Sequence, residues 1–263
     1  MTESHENRAL LVEDIGDGVR VLTLNRPRAL NALSAEILGQ LKEAFSAAGE
    51  DPSVRVILLT GSGKAFAAGA DLAALAGFTK DEAVEFSRNG YELFDMIESV
   101  RQPVIAVLNG YTLGGGLELA LSCDFRFAAE TVQVALPEIL LGIIPGFGGT
   151  QRLAAVAGHA RAKDMILTGR RIEASEALEW GVLHRVFPKD TLWDESLAFA
   201  KTLAALSKKA LAEAKGVLNA TRNMAVAEGL ERENEAFGRC FEHGDSREGI
   251  RAFLEKRKPD FEK

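Results

Sequence analysis

Two glutamates, each set beside a glycine-marked segment, carry the chemistry that can be read most directly from this chain. Glu118 lies in Gly110-Tyr111-Thr112-Leu113-Gly114-Gly115-Gly116-Leu117-Glu118-Leu119-Ala120. Glu138 lies in the stretch 136–153, Leu-Pro-Glu-Ile-Leu-Leu-Gly-Ile-Ile-Pro-Gly-Phe-Gly-Gly-Thr-Gln-Arg-Leu. A pair of carboxylates can take up and release one proton each, as acid–base chemistry at neighbouring atoms requires. Glycines 114–116 follow an apolar run, so the backbone can turn sharply there and leave N–H groups unpaired at a helix start. With the helix dipole behind them, such donors can hold a developing anion. The same triplet also serves as a plain strand–helix turn, and an acid in the first helical turn is favourable for the dipole alone. Pro137-Glu138 precedes the apolar run 139–144. Apolar surroundings desolvate a carboxyl group and raise its pKa toward the range of a general acid, whereas a surface turn would leave it ordinary. The small residues of 65–72, after Gly61-Ser62-Gly63, either pack closely or let a ligand lie against backbone. In the second case the Ala70 N–H is a further donor, opposite the glycine triplet.

The elements that must position these groups alternate in type. Val19–Leu24, Val54–Thr60 and Val104–Leu108 are apolar, β-branched runs that read as buried strands. Ser34 caps a helix whose Ile37, Leu38, Leu41, Ala44 and Phe45 share a face. Residues 81–100 read as a second helix and 117–122 as a third, with 64–71 as a loop between strand and helix. Residues 125–128 and 132–136 are short strand candidates. Buried strands alternating with helices indicate an α/β arrangement. After Gly149 the pattern is mostly helical: 151–158, 160–167, 174–180, 192–206 and one long amphipathic stretch, 207–243, with only 183–187 reading as strand. No fixed-period repeat or flexible linker is evident.

The chain has 263 residues, of which 47% are hydrophobic, enough for one large core or a core with a helical appendage. Net charge is −7, which opposes a generic nucleic-acid binder while leaving room for a local cationic patch. The cysteines are Cys123 and Cys240, with no Cys-x-x-Cys, and His5, His159, His184 and His243 are scattered. Free thiols in a reducing compartment, and no metal site, are the expectation. No apolar run reaches the ~18–20 residues of a membrane span. Residues 1–8 carry acids and lack an apolar stretch, so they read as neither signal nor transit peptide. Cytoplasmic location is expected. Gly146-Phe147-Gly148-Gly149 is not Gly-x-Gly-x-x-Gly, and Gly61-Ser62-Gly63-Lys64 lacks the upstream glycine of a P-loop, so neither supports a nucleotide fold.

Taken together, these segments resemble the crotonase, or enoyl-CoA hydratase/isomerase, superfamily. The resemblance runs from Leu22-Thr23-Leu24-Asn25-Arg26-Pro27-Arg28-Ala29-Leu30-Asn31-Ala32-Leu33 to 253–259. It is most specific at 65–71, 109–120 and 137–153. It implies a spiral of ββα units with a C-terminal helical subdomain. Residues 1–200 would form the core holding CoA and the active site. Residues 201–263 would form the helical subdomain that makes a trimer, two of which commonly stack as a hexamer.

The resemblance also implies an acyl-CoA thioester substrate, CoA being part of the substrate and no separate cofactor being needed. The thioester oxygen would sit between the backbone N–H groups of Ala70 and Gly115. Glutamates matching Glu118 and Glu138 imply syn addition of water to a trans-2-enoyl-CoA, giving a 3-hydroxyacyl-CoA, as in fatty-acid β-oxidation. Glu118 would hold and activate the water and Glu138 would shuttle the proton at the α-carbon. Arg28, Lys64 and Lys256 match basic positions near the CoA nucleotide, and the Ala68 backbone matches a position that meets adenine. A further basic position of the family falls here on Ala73. The acyl pocket is expected from 75–94, 145–147 and the C-terminal helices. Alternatives are a Δ3,Δ2-enoyl-CoA isomerase, which can run on one carboxylate, and a hydratase of branched or aryl enoyl-CoA. A non-catalytic CoA- or RNA-binding relative would be favoured by loss of either glutamate or of Gly115, and none is lost.

Overall fold

Strands as apolar as those at 56–61 and 104–108 need cover on both faces, and a parallel sheet flanked by helices supplies it. In the computed structural model, which describes residues 8–261, β1 (Leu10–Asp14) runs antiparallel to β2 (Val19–Leu24). A 3-10 turn (Pro27–Ala29) leads toward Ser34, whose Oγ accepts the Ile37 N–H at 3.3 Å and caps α1 (Ala35–Glu50). Such a cap contributes about 1 kcal/mol. Ile37, Leu38, Leu41, Phe45 and Ala48 form the buried face of α1.

A single plan then recurs. β3 (Val56–Gly61) passes to a short β4 (Ala65–Ala67), α2 (Leu72–Leu75) and α3 (Lys80–Ser99). β5 (Val104–Leu108) passes to β6 (Tyr111–Leu113) and α4 (Gly115–Leu121). β7 (Phe125–Ala129) passes to β8 (Gln133–Ala135), a 3-10 turn (Glu138–Leu141) and α5 (Gly149–Ala157). The remaining elements are α6 (His159–Thr168), β9 (Ile172–Glu173), α7 (Ala174–Glu179), β10 (Arg185–Phe187), α8 (Leu192–Ala204), α9 (Lys208–Thr221), α10 (Val226–Arg239) and α11 (Gly244–Leu254). The first strands of successive units stack in a sheet ordered β1-β2-β3-β5-β7-β10, parallel from β2 onward. The second strands stack in another, β4-β6-β8-β9, antiparallel only at β9. This is the expected spiral of ββα units. Helix α8 lies against the larger sheet, where the Phe199 ring meets Phe125 and Phe127 with centroids 5.1 Å from each.

Two expectations are corrected. Residues 64–71 are not wholly loop. Ala65–Ala67 is a strand, because its backbone pairs with β6, and small residues carry no local signal of that pairing. The stretch 207–243 is not one helix. It breaks at 222–225 and doubles back as α9 and α10, tied by Arg239 to Glu213 at 2.8 Å. The strands β1, β6 and β9 were not legible. Residues 1–7, on which most of the leader reading rests, lie outside the described residues.

The C-terminal helices are anchored by a largely buried ion pair. Lys215 Nζ on α9 donates to Asp124 Oδ2 at 2.7 Å and to the Gln102 carbonyl at 2.9 Å, and the Val104 N–H also donates to Asp124 Oδ2. The two side chains are only 9% and 20% exposed. Removing one partner of such a pair leaves the other charge buried alone. Lys215→Met is therefore expected to cost about 3 kcal/mol in chemical denaturation. Adding Asp124→Asn, whose amide oxygen can still accept from Val104, should recover part of that loss.

Candidate active site

Strand register brings the predicted residues together. Leu113 pairs with Ala135 across β6 and β8, and the Gly114 N–H donates to the Ala135 carbonyl at 2.9 Å. Glu118, in the first turn of α4, and Glu138, opening its 3-10 turn, thus leave neighbouring strand ends on the same side. Ala67 pairs with Thr112 across β4 and β6, so Ala70 and Gly115 each lie three residues beyond a paired position. The Leu33 N–H donates to Gly69 O and Leu33 O accepts from Asp71 N. In parallel pairing this turns the Ala70 N–H away from Leu33. On that opposite side Gly69 approaches Leu113 O and Gly115 N. Ala70, Gly115, Glu118 and Glu138 all line one cavity of about 790 Å³.

Glu118 is 1% exposed. Its Oε1 accepts from Phe147 N at 2.8 Å and from Gly149 N at 2.7 Å. Burial pushes its pKa up, while those two N–H groups and the positive charge of Arg152 pull the other way. Burial also pushes Glu138 up, to about 7, and the neighbouring Glu118 charge adds to the shift. Glu138 Oε2 is buried with no hydrogen-bond partner among the described residues. Gly114 permits this approach. Its φ is +53°, and a Cβ there would stand 2.6 Å from Glu138 Oε1. Of the apolar run 139–144, Ile143 and Ile144 line the cavity with Glu138, while Leu140 and Leu141 are exposed.

The rest of the cavity is mostly apolar and comes from α2, α3, the turn between them and 142–147: Leu75, Phe78, Val84, Phe86, Ile143 and Phe147 among others, with Lys80, Ser87, Arg88 and Tyr91 as polar side chains of α3. The Phe147 ring is buried between Phe86 and Phe94, with centroids 5.1 and 5.5 Å away. It fits there only because residue 90 has no Cβ, which would collide with the ring. The expected wall from 75–94 and 145–147 is present, but no C-terminal helix lines this cavity among the described residues.

The predicted CoA contacts lie elsewhere. Arg28 is exposed in the 3-10 turn after β2, and Lys64 is exposed at the β3–β4 corner. Gly63 approaches Pro27, and the Ala68 N–H donates to Leu30 O at 3.0 Å, so these three segments adjoin. Lys256 follows α11. No hydrogen bond or ion pair among the described residues ties it to Arg28, Lys64 or Ala68. Sequence reasoning missed the backbone donors at Phe147 and Gly149 and the role of Arg152. Gly148-Gly149 ahead of a helix was their only trace. It also missed Asn31, fully buried, whose side chain binds Arg26 N, Ser62 O and Ala65 O at 2.8–2.9 Å and so ties the Ala70 segment to the turn before α1.

Comparison with known proteins bears on the family and the fold. Residues 14–263 match the family model described as enoyl-CoA hydratase/isomerase. A mitochondrial enoyl-CoA hydratase of Pongo abelii is 43% identical over 92% of this chain and 83% of its own. A crotonyl-CoA hydratase of Syntrophomonas wolfei is 42% identical over 92% and 93%. The crystal structure of an enoyl-CoA hydratase from Bacillus anthracis superposes with a TM-score of 0.93 at 39% identity, covering 96% of this chain and 98% of that one. The chain belongs to the enoyl-CoA hydratase/isomerase family.

Proposed function

We propose that this protein is an enoyl-CoA hydratase, adding water reversibly and syn to a trans-2-enoyl-CoA to give the 3-hydroxyacyl-CoA. The observation that carries the reading is the pair Glu118 and Glu138 in one desolvated cavity with the backbone of Ala70 and Gly115. In this reading the thioester oxygen accepts from the Ala70 and Gly115 N–H groups, which stabilise the enolate as charge moves off the double bond. Glu118, ionised and held through Oε1, takes one proton of the water with Oε2 as its oxygen bonds to the β-carbon. Glu138 gives its proton to the α-carbon. The pair then holds one proton again, on the other carboxyl, and exchange resets it. The reaction needs no resident cofactor. Arg28, Lys64 and the Ala68 backbone hold the nucleotide end of CoA, and Lys256 reaches it across a contact between copies. The domain division follows: the ββα core carries the chemistry and residues 201–263 assemble the trimer or hexamer. A role in fatty-acid β-oxidation and a cytoplasmic location fit this activity. No helix among the described residues is long and apolar enough to cross a membrane.

The test is loss of the conjugated enoyl-thioester absorbance when the protein meets crotonyl-CoA. The wild type should consume it rapidly, and Glu118→Gln and Glu138→Gln should each lose about 10²–10⁴-fold in kcat. No consumption by a folded, CoA-binding wild type would overturn short-chain hydration.

The pH dependence follows from the shared proton. When both carboxyls are protonated there is no base, and when both are ionised there is no donor. The plot of kcat/KM should therefore be bell-shaped, with macroscopic limbs belonging to the pair. Because Glu138 is raised to about 7, activity should fall as pH rises through that region, and Glu138→Gln should abolish that limb in what activity remains.

A further inference from the structure

The two N–H groups that grip Glu118 belong to alternate peptide units, 146–147 and 148–149. The unit between them, 147–148, must point its carbonyl the other way. That carbonyl, Phe147 O, accepts from Arg152 Nη1 at 2.8 Å. Gly148 makes the alternation possible with φ +97°, and a Cβ on it would collide with the same Nη1. The backbone therefore forms a two-donor nest around one carboxylate oxygen, clamped from behind by a guanidinium.

Arg152 is 6% exposed, and its other donors are fixed from outside the loop. Nε donates to Glu98 Oε1 at 2.6 Å and Nη2 to Asp95 Oδ1 at 2.5 Å, both on α3. Its guanidinium lies 5.9 Å from the Phe94 ring centroid, and Phe94 also meets the Phe147 ring edge-on. Glu98 is held in turn by Arg222 at 3.1 Å and, through its carbonyl, by Asn219 at 2.8 Å, at the end of α9. The charged groups bearing on this site are thus Glu118 and Glu138 within the cavity, Lys80 and Arg88 on its α3 wall, Arg152 behind the loop, Asp95 and Glu98 from α3, and Arg222 beyond them.

From this geometry we infer that Arg152 is a positioning residue for the reaction: it locks the 147–148 peptide so that the Phe147 and Gly149 N–H groups point at Glu118. Its charge acts in the same direction, favouring the ionised carboxylate. Without the clamp the middle peptide is free to rotate, Glu118 loses its donors, and burial drives it toward the protonated form, which cannot accept a proton from water. The inference rests on the hydratase reading for its kinetic consequence but not for its effect on Glu118.

Three proteins test it: Arg152→Gln, Arg152→Lys and the pair Asp95→Ala/Glu98→Ala, which frees Nε and Nη2 while leaving Arg152 in place. With crotonyl-CoA, Arg152→Gln should lose about 100-fold in kcat with little change in KM, the scale of a catalytic group displaced by about 1 Å. Arg152→Lys should fall between it and the wild type. The acid limb of the pH profile should move to higher pH in Arg152→Gln, because loss of a positive charge raises the Glu118 pKa. Infrared titration of ¹³C-glutamate-labelled protein, taken as the difference from the matching Glu118→Gln protein, reads the same shift without any turnover. Should Arg152→Gln fail to fold, the double variant carries the test through kcat, which should fall as the 147–148 peptide loosens, even though removing two nearby negative charges by itself favours the ionised Glu118. A folded variant with wild-type kcat and unmoved Glu118 titration overturns the inference. An inactive wild type whose Glu118 titration still moves overturns only the hydratase reading.

Discussion

Everything at the site depends on keeping one carboxylate charged where almost no water reaches it. Burying an ionised group costs several kcal/mol unless hydrogen bonds replace its hydration. Glu118 has two such bonds, both from backbone and both to the same oxygen. Hydrogen bonds to a charged group contribute about 1.5–3 kcal/mol each, enough to offset much of the desolvation but not all. The residual bias is toward the neutral form. Side-chain donors would have needed ordering of their own. Backbone donors cost nothing further once the loop before α5 is in place.

The two sheets supply the precision this requires. Because β6 pairs with both β4 and β8, the segments leaving their ends start from fixed positions a strand spacing apart. Ala70, Gly115 and the two glutamates all follow those ends within a few residues, too short a run for their positions to drift. Close stacking of the turns demands missing side chains. Gly116 faces the Ala67 carbonyl so tightly that a Cβ could not fit, and Gly114 yields its Cβ position to the Glu138 carboxyl. Ala70, Gly115, Glu118 and Glu138 therefore sit on rigid framework, while the outer wall of the cavity is built from α2, α3 and the 142–147 loop, of which Phe147 also supports Glu118 through its N–H.

Specificity and assembly draw on other surfaces. Phe78, Phe86 and Phe147 make one wall of the cavity, with Phe94 packed against Phe147, and the absence of a side chain at Gly90 decides where that wall stands. The C-terminal helices do not touch the cavity, yet they reach its support through Arg222 and Asn219 at Glu98, and they are pinned to the core by Lys215 at Asp124. Apolar side chains on α10 and α11, such as Val226, Phe237, Phe253 and Leu254, remain exposed in the single chain.

Local chemistry made much of this legible. Apolar strands, the Ser34 cap and the glycine turns depend on neighbours in sequence. Glu118 and Glu138 stand out by type and setting, while it took the family resemblance to group them with Ala70 and Gly115. What tertiary structure decided was whatever depends on pairing between distant segments. Ala65–Ala67 is a strand only because β6 lies beside it, and α9 ends at Thr221 without any glycine or proline to announce it. Glu138 is desolvated in a cavity it shares with Gly115, Glu118 and Ile143, an enclosure that distant segments make together. The donors to Glu118 are peptide N–H groups, which every residue but proline possesses. Their orientation, set by Gly148 and by Arg152 behind it, is a property of the folded loop that composition and spacing do not encode.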